Sequence, residues 1–165
     1  MRRNSGNCID FCGVKSFKYK SPIGDICCVF EGHDLVGLSI KANNQRTHHL
    51  LPVASCLFVE LDTYFKGNLK RFKQKIKFVS GTEFEHKVWL ALKDIPYGET
   101  RSYKWIAKAI GSPKAIRAVG QALKKNPLPI ILPCHRVIAS DGSIGGFSCG
   151  VSVKKWLLKH EEKHW

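Results

Sequence analysis

Cys134 lies in the stretch ILPCHRVIAS, residues 131–140, where Pro133 precedes the thiol and His135 and Arg136 follow it. A thiol attacks electrophiles as its thiolate, a form that neighbouring positive charge stabilises. Two interpretations are open. Cys134 is either an inert cysteine beside incidental surface charges, or a nucleophile that the adjacent basic residues help to ionise.

Glu161 is the second candidate for chemistry, because it continues the apolar face of the last helix. In SVKKWLLKHEEKHW, Val153, Leu157 and Glu161 recur every four residues, and Ser152 is placed to cap the helix. The carboxylate is either the solvated end of that stripe or points inward to orient a histidine. The second alternative gives a Cys–His–carboxylate arrangement, which activates a nucleophile.

The residues around Cys134 indicate how the thiol is held. NPLPIILPCHRVIASDGSIGGF predicts an apolar strand between prolines, then a hairpin whose Asp141-Gly142 suits a tight turn, then a loop with the pair Gly145-Gly146. A thiol placed there would sit on a rigid element beside a glycine-rich loop.

Short helices with clear end signals precede that segment. Thr82 and Glu85 form a capping box for the first helix, which stops before IPYG. Ser102 caps a second helix that Gly111 ends, and Ser112-Pro113 opens a third, KAIRAVGQALKKN, which ends before Pro127. The last two predict a helix-turn-helix. The third helix is rich in small residues, so its backbone could approach a partner closely, with Arg117 as a long cation among them.

The first half of the chain predicts strands followed by a helix. KSFKYK, ICCVF and LVGLSIKA, separated by turn residues, predict an antiparallel meander. From Ala54 onward the apolar period becomes helical, and Gly67 is placed to end that helix. The basic stretch at residues 69–78 predicts a connector or edge strand. We place a domain boundary near Ser80, which gives domains at residues 1–80 and 81–165.

Composition limits the function classes. The chain has 165 residues, 44% hydrophobic content and a net charge of +14, which favours polyanionic partners such as nucleic acid. No stretch is apolar enough to span a membrane and the N-terminus lacks a secretory signal, so we expect an intracellular protein, cytoplasmic or associated with the nucleus or nucleoid. The seven cysteines are odd in number and irregularly spaced, so we expect mostly reduced core residues. Cys8, Cys12, Cys27, Cys28 and His33 lack the paired spacing of a zinc site, so no metal is expected.

Residues 82–162 resemble the O6-alkylguanine-DNA alkyltransferases, the methylated-DNA–protein-cysteine methyltransferases. The resemblance is carried by PCHRV, the preceding SPKAIRAVGQALKKNPLPI, the glycine loop and KKWLLKHE, and more weakly by SPIGD and LDTYFKGN in the first half. It implies an α+β protein of two domains: an N-terminal ribonuclease-H-like antiparallel sheet plus helix, and a C-terminal winged-helix-like domain. It implies direct-reversal repair of double-stranded DNA, in which the alkyl group of O6-alkylguanine, and of O4-alkylthymine, moves irreversibly to a thiol after base flipping, without a cofactor.

The resemblance also implies individual roles. Cys134 accepts the alkyl group, His135 acts as base through a water, Glu161 polarises His135, and Asn126 braces the loop around the thiol. Arg117 enters the base stack from the minor groove, and Tyr103 crowds a phosphate and donates a proton to the leaving purine. The other residues implied to contact DNA are Ser102, Ala118 and Lys124. The residues implied to line the base pocket are Val137, Phe147, Ser148 and Cys149, with the carbonyls of Cys134 and Val137 and the N–H of Ser148 contacting guanine.

Phe147 and Cys149 depart from the family pattern, in which tyrosine and glycine are common. Three other functions are weighed against repair. Alkyltransferase-like proteins bind alkylated DNA without catalysis and lack the acceptor cysteine, so the presence of Cys134 argues against this class. A helix-turn-helix regulator would not need PCHRV, and a cysteine hydrolase gains nothing from the positive charge. We expect a monomer that does not associate with membranes.

Overall fold

The structure, a computed structural model, describes residues 13–41 and 52–165. The first range forms an antiparallel sheet with the strand order β1-β2-β3. The strands are β1 (Val14–Ser21), β2 (Gly24–Glu31) and β3 (Asp34–Lys41). The meander predicted from the alternation of polar and apolar residues is therefore confirmed.

The sheet and the first helix, α1 (Pro52–Phe65), share one hydrophobic core. Every second residue of β2 is buried, as the period of a strand requires. The fully buried residues of β2 are Ile26, Cys28 and Phe30, and those of α1 include Leu57 and Leu61. Gly67, two residues after the end of α1, adopts a φ of 82°, which is a conformation that glycine favours at a helix end.

The described cysteines are free thiols in different surroundings. Cys28 and Cys134 are buried, Cys27 and Cys149 are half-buried, and Cys56 is exposed. Burial raises the pKa of Cys28 to about 12, as expected for an inert core residue. Cys8 and Cys12 lie outside the described residues.

The basic stretch at residues 69–78 is a connector whose backbone bonds to the sheet at Leu35. The N–H of Leu35 donates to the carbonyl of Lys75 over 2.9 Å, and the N–H of Lys77 donates to the carbonyl of Leu35 over 3.0 Å. These bonds form a parallel bridge between Leu35 and Ile76. Part of the connector thus meets the edge of the sheet without forming a strand.

The helix α2 (Glu83–Ala91) begins with the predicted capping box. The hydroxyl of Thr82 accepts from the N–H of Glu85, and the carboxylate of Glu85 accepts from the N–H of Thr82. Further along α2, Trp89 donates from Nε1 to the carbonyl of Ala122 over 2.8 Å. This bond connects α2 to the second helix of the helix-turn-helix.

The predicted helix-turn-helix is present as α3 (Tyr103–Ala109) and α4 (Ile116–Lys124). Ser102 caps α3 as predicted, because its hydroxyl accepts from the N–H of Trp105. The predicted start of the second helix at Pro113 is wrong. The N–H of Ala115 donates to the carbonyl of Ser112 over 2.9 Å, which closes a turn, and α4 begins only at Ile116.

The apolar strand predicted between the prolines is absent. The N–H of Leu132 bonds to the carbonyl of Leu128 over 2.8 Å, so the backbone turns through this segment. Proline has no N–H for a strand ladder, and closely spaced prolines favour such a turn. The extended part is β5 (Val137–Ile138), which pairs in parallel with β4 (Arg101–Ser102).

The tight turn predicted at Asp141-Gly142 is confirmed. The N–H of Gly142 donates to the carbonyl of Ala139 over 3.1 Å, and the N–H of Ala139 donates to the carbonyl of Ser143 over 2.9 Å. The glycine-containing loop then leads to the last helix.

That helix, α5 (Val151–Lys163), begins one residue before Ser152. Ser152 is therefore not the cap, and the preceding Gly150, with a φ of 98°, ends the loop without a side-chain cap. The buried face of α5 consists of Lys154, Leu157, His160 and Glu161. The carboxylate of Glu161 thus points inward.

Hydrogen bonds connect the two halves of the chain. The N–H of Leu38 donates to the carbonyl of Pro127 over 2.8 Å, and Nε2 of His160 lies 2.8 Å from the carbonyl oxygen of Tyr64. The expected α+β class is confirmed, whereas the division at residues 80 and 81 stays a prediction. Within the described ranges, no helix has the length and apolar character that crossing a bilayer requires.

Candidate active site

Cys134 begins a 3-10 helix, Cys134–Arg136, at the end of the turning segment. Its N–H bonds to the carbonyl of Leu132 over 2.7 Å, and the residue is 5% exposed. A cavity of about 210 Å³ reaches it. The walls of this cavity include Tyr103, Gly120, Lys124, Phe147 and Ser148. The thiol is therefore buried in the protein but accessible from a cavity between α3, α4 and the glycine loop.

Asn126 holds the backbone that leads to the thiol. Its Nδ2 donates to the carbonyl of Leu132 over 2.8 Å, and its Oδ1 accepts from the N–H of Leu128 over 3.0 Å. A hydrogen bond from Asn126 also acts to lower the pKa of Cys134. One buried amide thus fixes both ends of the turn before Cys134.

His135 is fully buried beside Glu161. Its Nε2 lies 2.8 Å from Oε1 of Glu161, and its Nδ1 has no hydrogen-bond partner in the part of the chain that the structure describes. An ionised carboxylate can only accept, so Nε2 carries the proton and Nδ1 is left as the acceptor in the neutral ring. His135 therefore offers a basic nitrogen whose opposite side is oriented by a carboxylate.

Glu161 accepts hydrogen bonds from four residues. Arg136 donates to both of its oxygens, from Nε over 2.8 Å and from Nη2 over 3.0 Å. The hydroxyl of Tyr64 donates over 2.7 Å and the N–H of Gly98 over 3.2 Å. Burial alone would raise the pKa of Glu161, but the bonds and charges of His135 and Arg136 hold that pKa well below its usual range. The carboxylate is ionised at neutral pH.

The flanking residues do not ionise the resting thiol in the way that PCHRV first suggests. Burial raises the pKa of Cys134 to about 12. Burial also lowers the pKa of His135, despite the opposing effect of Glu161, and the guanidinium of Arg136 is directed at Glu161. Cys134 and His135 are both neutral in the free protein, so ionisation of the thiol requires transfer of its proton.

Tyr103 is the first residue of α3 and lines the same cavity. Burial raises the pKa of its hydroxyl, so the group keeps its proton at neutral pH. A Cβ added at Gly145 would lie 2.9 Å from this hydroxyl oxygen. The glycine loop therefore packs directly against Tyr103, and Gly145 allows that approach.

The outer face of α4 carries the residues expected to contact DNA. Arg117, Ala118 and Lys124 are exposed, whereas Val119 and Ala122 are buried. Lys124 also lines the cavity of Cys134. Ser102 is half-buried, and its hydroxyl caps α3.

The expected pocket residues fall on two segments. Val137 is buried in β5, and its carbonyl accepts from Nζ of Lys154 over 2.6 Å. Phe147 and Ser148 line the cavity, and the sulfur of Cys149 lies 3.9 Å from the hydroxyl oxygen of Ser148. The fold thus brings Cys134, Tyr103, Phe147 and Ser148 to one cavity, and it joins His135, the residue after the thiol, to Glu161.

Three residues at this site do not stand out in the sequence. Arg136 reads as a surface charge, yet it is buried against Glu161. Tyr64 belongs to a helical stripe typical of a core, and Lys154 lies in a basic helix. The spacing of Lys154, Leu157 and Glu161 on one helical face is a signal that could have revealed the lysine. No group of three or more residues suited to a metal occurs in residues 13–41 and 52–165.

Comparison with known proteins gives consistent matches. The family model described as "6-O-methylguanine DNA methyltransferase, DNA binding domain" matches residues 83–163. A methylated-DNA–protein-cysteine methyltransferase of Methanosarcina barkeri is 52% identical over 105 residues, which are 64% of this chain and 66% of that protein. The chain thus spans slightly less than two thirds of this relative. One of Mycobacterium bovis is 43% identical over 147 residues, which are 86% of this chain and 88% of that protein.

Solved structures agree with these sequence relatives. The crystal structure of Mycobacterium tuberculosis OGT in complex with DNA has a TM-score of 0.82 and 41% identity, and the match covers 90% of this chain and 93% of that one. The O6-methylguanine methyltransferase of the same organism has a TM-score of 0.82 and 38% identity, with 92% and 94% covered. The likeness extends through both halves of the chain, which therefore belongs to the methylated-DNA–protein-cysteine methyltransferase family.

Proposed function

We propose that this protein repairs alkylated DNA by moving the methyl group of O6-methylguanine to Sγ of Cys134. The observation that carries the proposal is the position of the thiol: it lines a cavity beside α4, and the next residue, His135, is paired with the buried Glu161. The names of the relatives, which are methylated-DNA–protein-cysteine methyltransferases, support the same reaction. The +14 charge suits a polyanionic substrate.

The reaction requires that the thiol lose its proton as the new bond forms. Nδ1 of His135 takes this proton through a water molecule, since a buried nitrogen without a protein partner is usually satisfied by water. Glu161 stabilises the imidazolium that results. The Sγ–CH₃ bond forms as the bond between the methyl carbon and O6 breaks, and the electron pair of that bond moves into the purine.

Tyr103 completes the proton balance. Because its raised pKa keeps the hydroxyl protonated, it donates a proton to the purine as negative charge develops there. Guanine then leaves as a neutral base. The same donor would serve O4-alkylthymine, which we include as a substrate.

In this proposal the helices α3 and α4 bind the DNA. The small residues of α4, among them Ala118 and Gly120, allow close approach to the minor groove, and Arg117 enters the stack in place of the flipped base. Ser102 and Tyr103 at the start of α3, and Lys124 at the end of α4, contact the backbone. Residues 81–165 thus bind DNA and accept the alkyl group, while residues 1–80 support them.

The flipped base would occupy the cavity of Cys134. The carbonyls of Cys134 and Val137 accept from its amino group, and the N–H of Ser148 donates to its oxygen. Phe147 supplies an apolar wall and Cys149 lies at the adjoining loop position. Asn126 keeps the thiol in register with this pocket through its bonds to Leu128 and Leu132.

Each molecule acts once. The product is a thioether, which has no ordinary reductive route back to a thiol, unlike a disulfide. Transfer is therefore stoichiometric.

The test is to incubate the protein with a duplex that contains O6-methylguanine and to map its peptides by mass spectrometry. We expect one methyl group on Cys134 for each guanine restored, and Cys134→Ala should bind the duplex without transfer. Methylation of another cysteine, or an unmodified Cys134 beside restored guanine, would overturn the assignment.

A further inference from the structure

Lys154 is a buried charge to which the reaction proposed above gives no role. It is fully buried in α5, two helical turns before Glu161 on the same face. Its Nζ donates to the carbonyl of Val137 over 2.6 Å and, at the longer distance of 3.4 Å, to the carbonyl of Gly146. A buried ammonium is costly unless it is hydrogen-bonded, so a lysine at this position calls for a reason beyond packing.

The two carbonyls that Lys154 contacts belong to the surroundings of the thiol. Val137 follows the 3-10 helix that begins with Cys134, and Gly146 lines the cavity. One ammonium thus connects the backbone after the thiol to the glycine loop. Such a contact fixes the distance between the segment that follows the thiol and the glycine loop.

Lys154 and Cys134 also affect each other's ionisation. Burial lowers the pKa of Lys154, and negative charge at Cys134 opposes that effect. In turn, the positive charge of Lys154 opposes the rise that burial imposes on the pKa of Cys134. The interaction favours the state in which the lysine is protonated and the sulfur is ionised.

Other titratable groups do not supply this charge from within the protein. Tyr103 on α3 and Cys149 on the glycine loop are neutral and become anionic when they ionise. His135 has a lowered pKa, and Lys124 on α4 reaches the cavity from the exposed surface. Among the described residues that act on Cys134, Lys154 is the buried cation.

We propose that Lys154 is a positioning residue, an inference that rests on the alkyl transfer proposed above. Its ammonium holds the carbonyls of Val137 and Gly146 together and stabilises the negative charge that develops on Cys134. The lysine neither gives nor takes a proton during the step. It differs in this from His135, which receives the proton, and from Tyr103, which supplies one.

Three substitutions separate the charge of Lys154 from its hydrogen bonds. Lys154→Arg keeps the charge, Lys154→Gln keeps a donor without charge, and Lys154→Met keeps neither. The matched control is Lys155→Met, which removes the adjacent and exposed lysine. Cys134 is modified with iodoacetamide at pH 8 in the absence of DNA, and its peptide is quantified by mass spectrometry.

We expect modification of Cys134 to be about three- to tenfold slower in the Gln and Met variants. A thiol pKa higher by about one unit lowers the thiolate fraction tenfold, and the greater nucleophilicity of the remaining thiolate offsets part of that loss. Lys154→Arg should stay within about twofold of the wild type, as the Lys155 control should. A purely structural role predicts that Gln, which retains a donor, resembles the wild type at least as closely as Arg does. That result, or equal rates in all variants, would overturn the proposal.

The wild-type chain provides a second test that does not depend on folding of the neutral variants. Iodoacetate leaves a carboxylate on Cys134, whereas iodoacetamide leaves a neutral group of nearly the same shape. The Nζ resonance of Lys154, followed by nuclear magnetic resonance, should titrate at higher pH in the carboxymethylated protein. Identical titration midpoints in the two adducts would overturn the proposal.

Methyl transfer from O6-methylguanine in DNA is then measured on the same proteins. Absence of transfer in the wild type would overturn the proposed function, whereas the two thiol-reagent tests would still decide the interaction between Lys154 and Cys134. Transfer at equal rates in wild type and Lys154→Gln would overturn the role of Lys154 alone. We expect methyl transfer by Lys154→Gln to be about three- to tenfold slower than by the wild type, as in the iodoacetamide reaction.

Discussion

Arg136 holds the carboxylate of Glu161 in a two-point contact, with Nε 2.8 Å from one oxygen and Nη2 3.0 Å from the other. Its Nη1 also donates to the carbonyl of Ile95 over 2.7 Å. The guanidinium therefore fixes the orientation of the carboxylate that in turn orients His135. Arg136, although it directly follows His135 in sequence, is thus connected to His135 through Glu161.

Removal of Arg136 should destabilise the protein strongly. Arg136→Met leaves the Glu161 carboxylate buried without its cationic partner, a change that typically costs about 3–5 kcal/mol. The free energy of unfolding is measured by urea denaturation.

The control for this variant is Arg101→Met. Arg101 forms a partly exposed ion pair with Glu99 over 2.6 Å, and such pairs contribute at most about 1 kcal/mol. Equal losses in the two variants would contradict the role given to Arg136.

Glu161 should make the folded state sensitive to acid. An unfolded glutamate has a pKa of about 4.3, whereas the bonds and charges of His135 and Arg136 outweigh burial and depress the pKa of Glu161 in the folded protein. The stabilisation is therefore complete above the unfolded pKa and is lost as pH falls from about 5 toward the folded pKa.

We expect Glu161→Gln to lower the free energy of unfolding most at pH 7 and progressively less at pH 4 and pH 3. Urea denaturation across this range measures the difference from the wild type. Glu162→Gln, at the exposed neighbouring position, should parallel the wild type at every pH. A constant difference for Glu161→Gln would show that its carboxyl titrates alike in both states.

Gly145 should be essential to the cavity rather than to the fold. Gly145→Ala places a Cβ 2.9 Å from the hydroxyl oxygen of Tyr103 and also strains a backbone with a φ of 65°. The loop or Tyr103 must move, so we expect methyl transfer to slow about tenfold or more, which corresponds to about 1.4 kcal/mol.

Gly142→Ala is the matched control, since Gly142 has a φ of 83° with no atom near an added Cβ. Both substitutions should cost about 1 kcal/mol of stability, because alanine disfavours positive φ. Single-turnover kinetics should then separate them, with transfer by Gly142→Ala close to that of the wild type. Similar methyl-transfer rates for Gly145→Ala and Gly142→Ala would show that the contact between Gly145 and Tyr103 is not needed for transfer.

Local signals in the sequence predict most elements of the fold. The alternation of β1 to β3, the capping box at Thr82 and the cap at Ser102 depend on neighbouring residues, and these predictions are confirmed. The segment before Cys134 is different. Its run of isoleucine and leucine favours a strand, but the surrounding prolines and the bonds of Asn126 make the backbone turn, and an apolar run alone cannot distinguish the two.

The chemistry of the site is less predictable, because it depends on burial. PCHRV predicts a thiol beside two cations, but only the tertiary structure places Arg136 against Glu161 and raises the pKa of Cys134. Burial of Lys154 is equally hidden in a helix that carries several exposed lysines. The family resemblance indicates the acceptor and the base, whereas the contacts that set their ionisation arise from distant segments.

Tyr103 should act through its hydroxyl. In Tyr103→Phe the ring still lines the cavity, but the purine leaves without a proton, and loss of such a proton donor typically slows a reaction about 100-fold or more. Transfer is measured at pH 7.5 under single-turnover conditions. Tyr97→Phe is the control, because the hydroxyl of Tyr97 is buried without a hydrogen-bond partner among the described residues and its pKa is likewise raised by burial, to about 12. Equal rates of transfer in both variants would show that Tyr103 is not the proton donor.

Arg117 should matter only when a base must be flipped out of a duplex. The side chain is exposed on the outer face of α4, and inserting it into the stack restores part of the few kcal/mol that flipping costs. We expect Arg117→Ala to slow methyl transfer from duplex DNA by about tenfold or more, which corresponds to about 1.4 kcal/mol of activation free energy. The rate of reaction with free O6-alkylguanine should change by less than about twofold. Lys114→Ala removes an exposed cation from the turn before α4 and controls for general electrostatic attraction. The ratio of the two rates decides the role: a proportional loss on the duplex and on the free base would mean that Arg117 affects the pocket and not the flipped state.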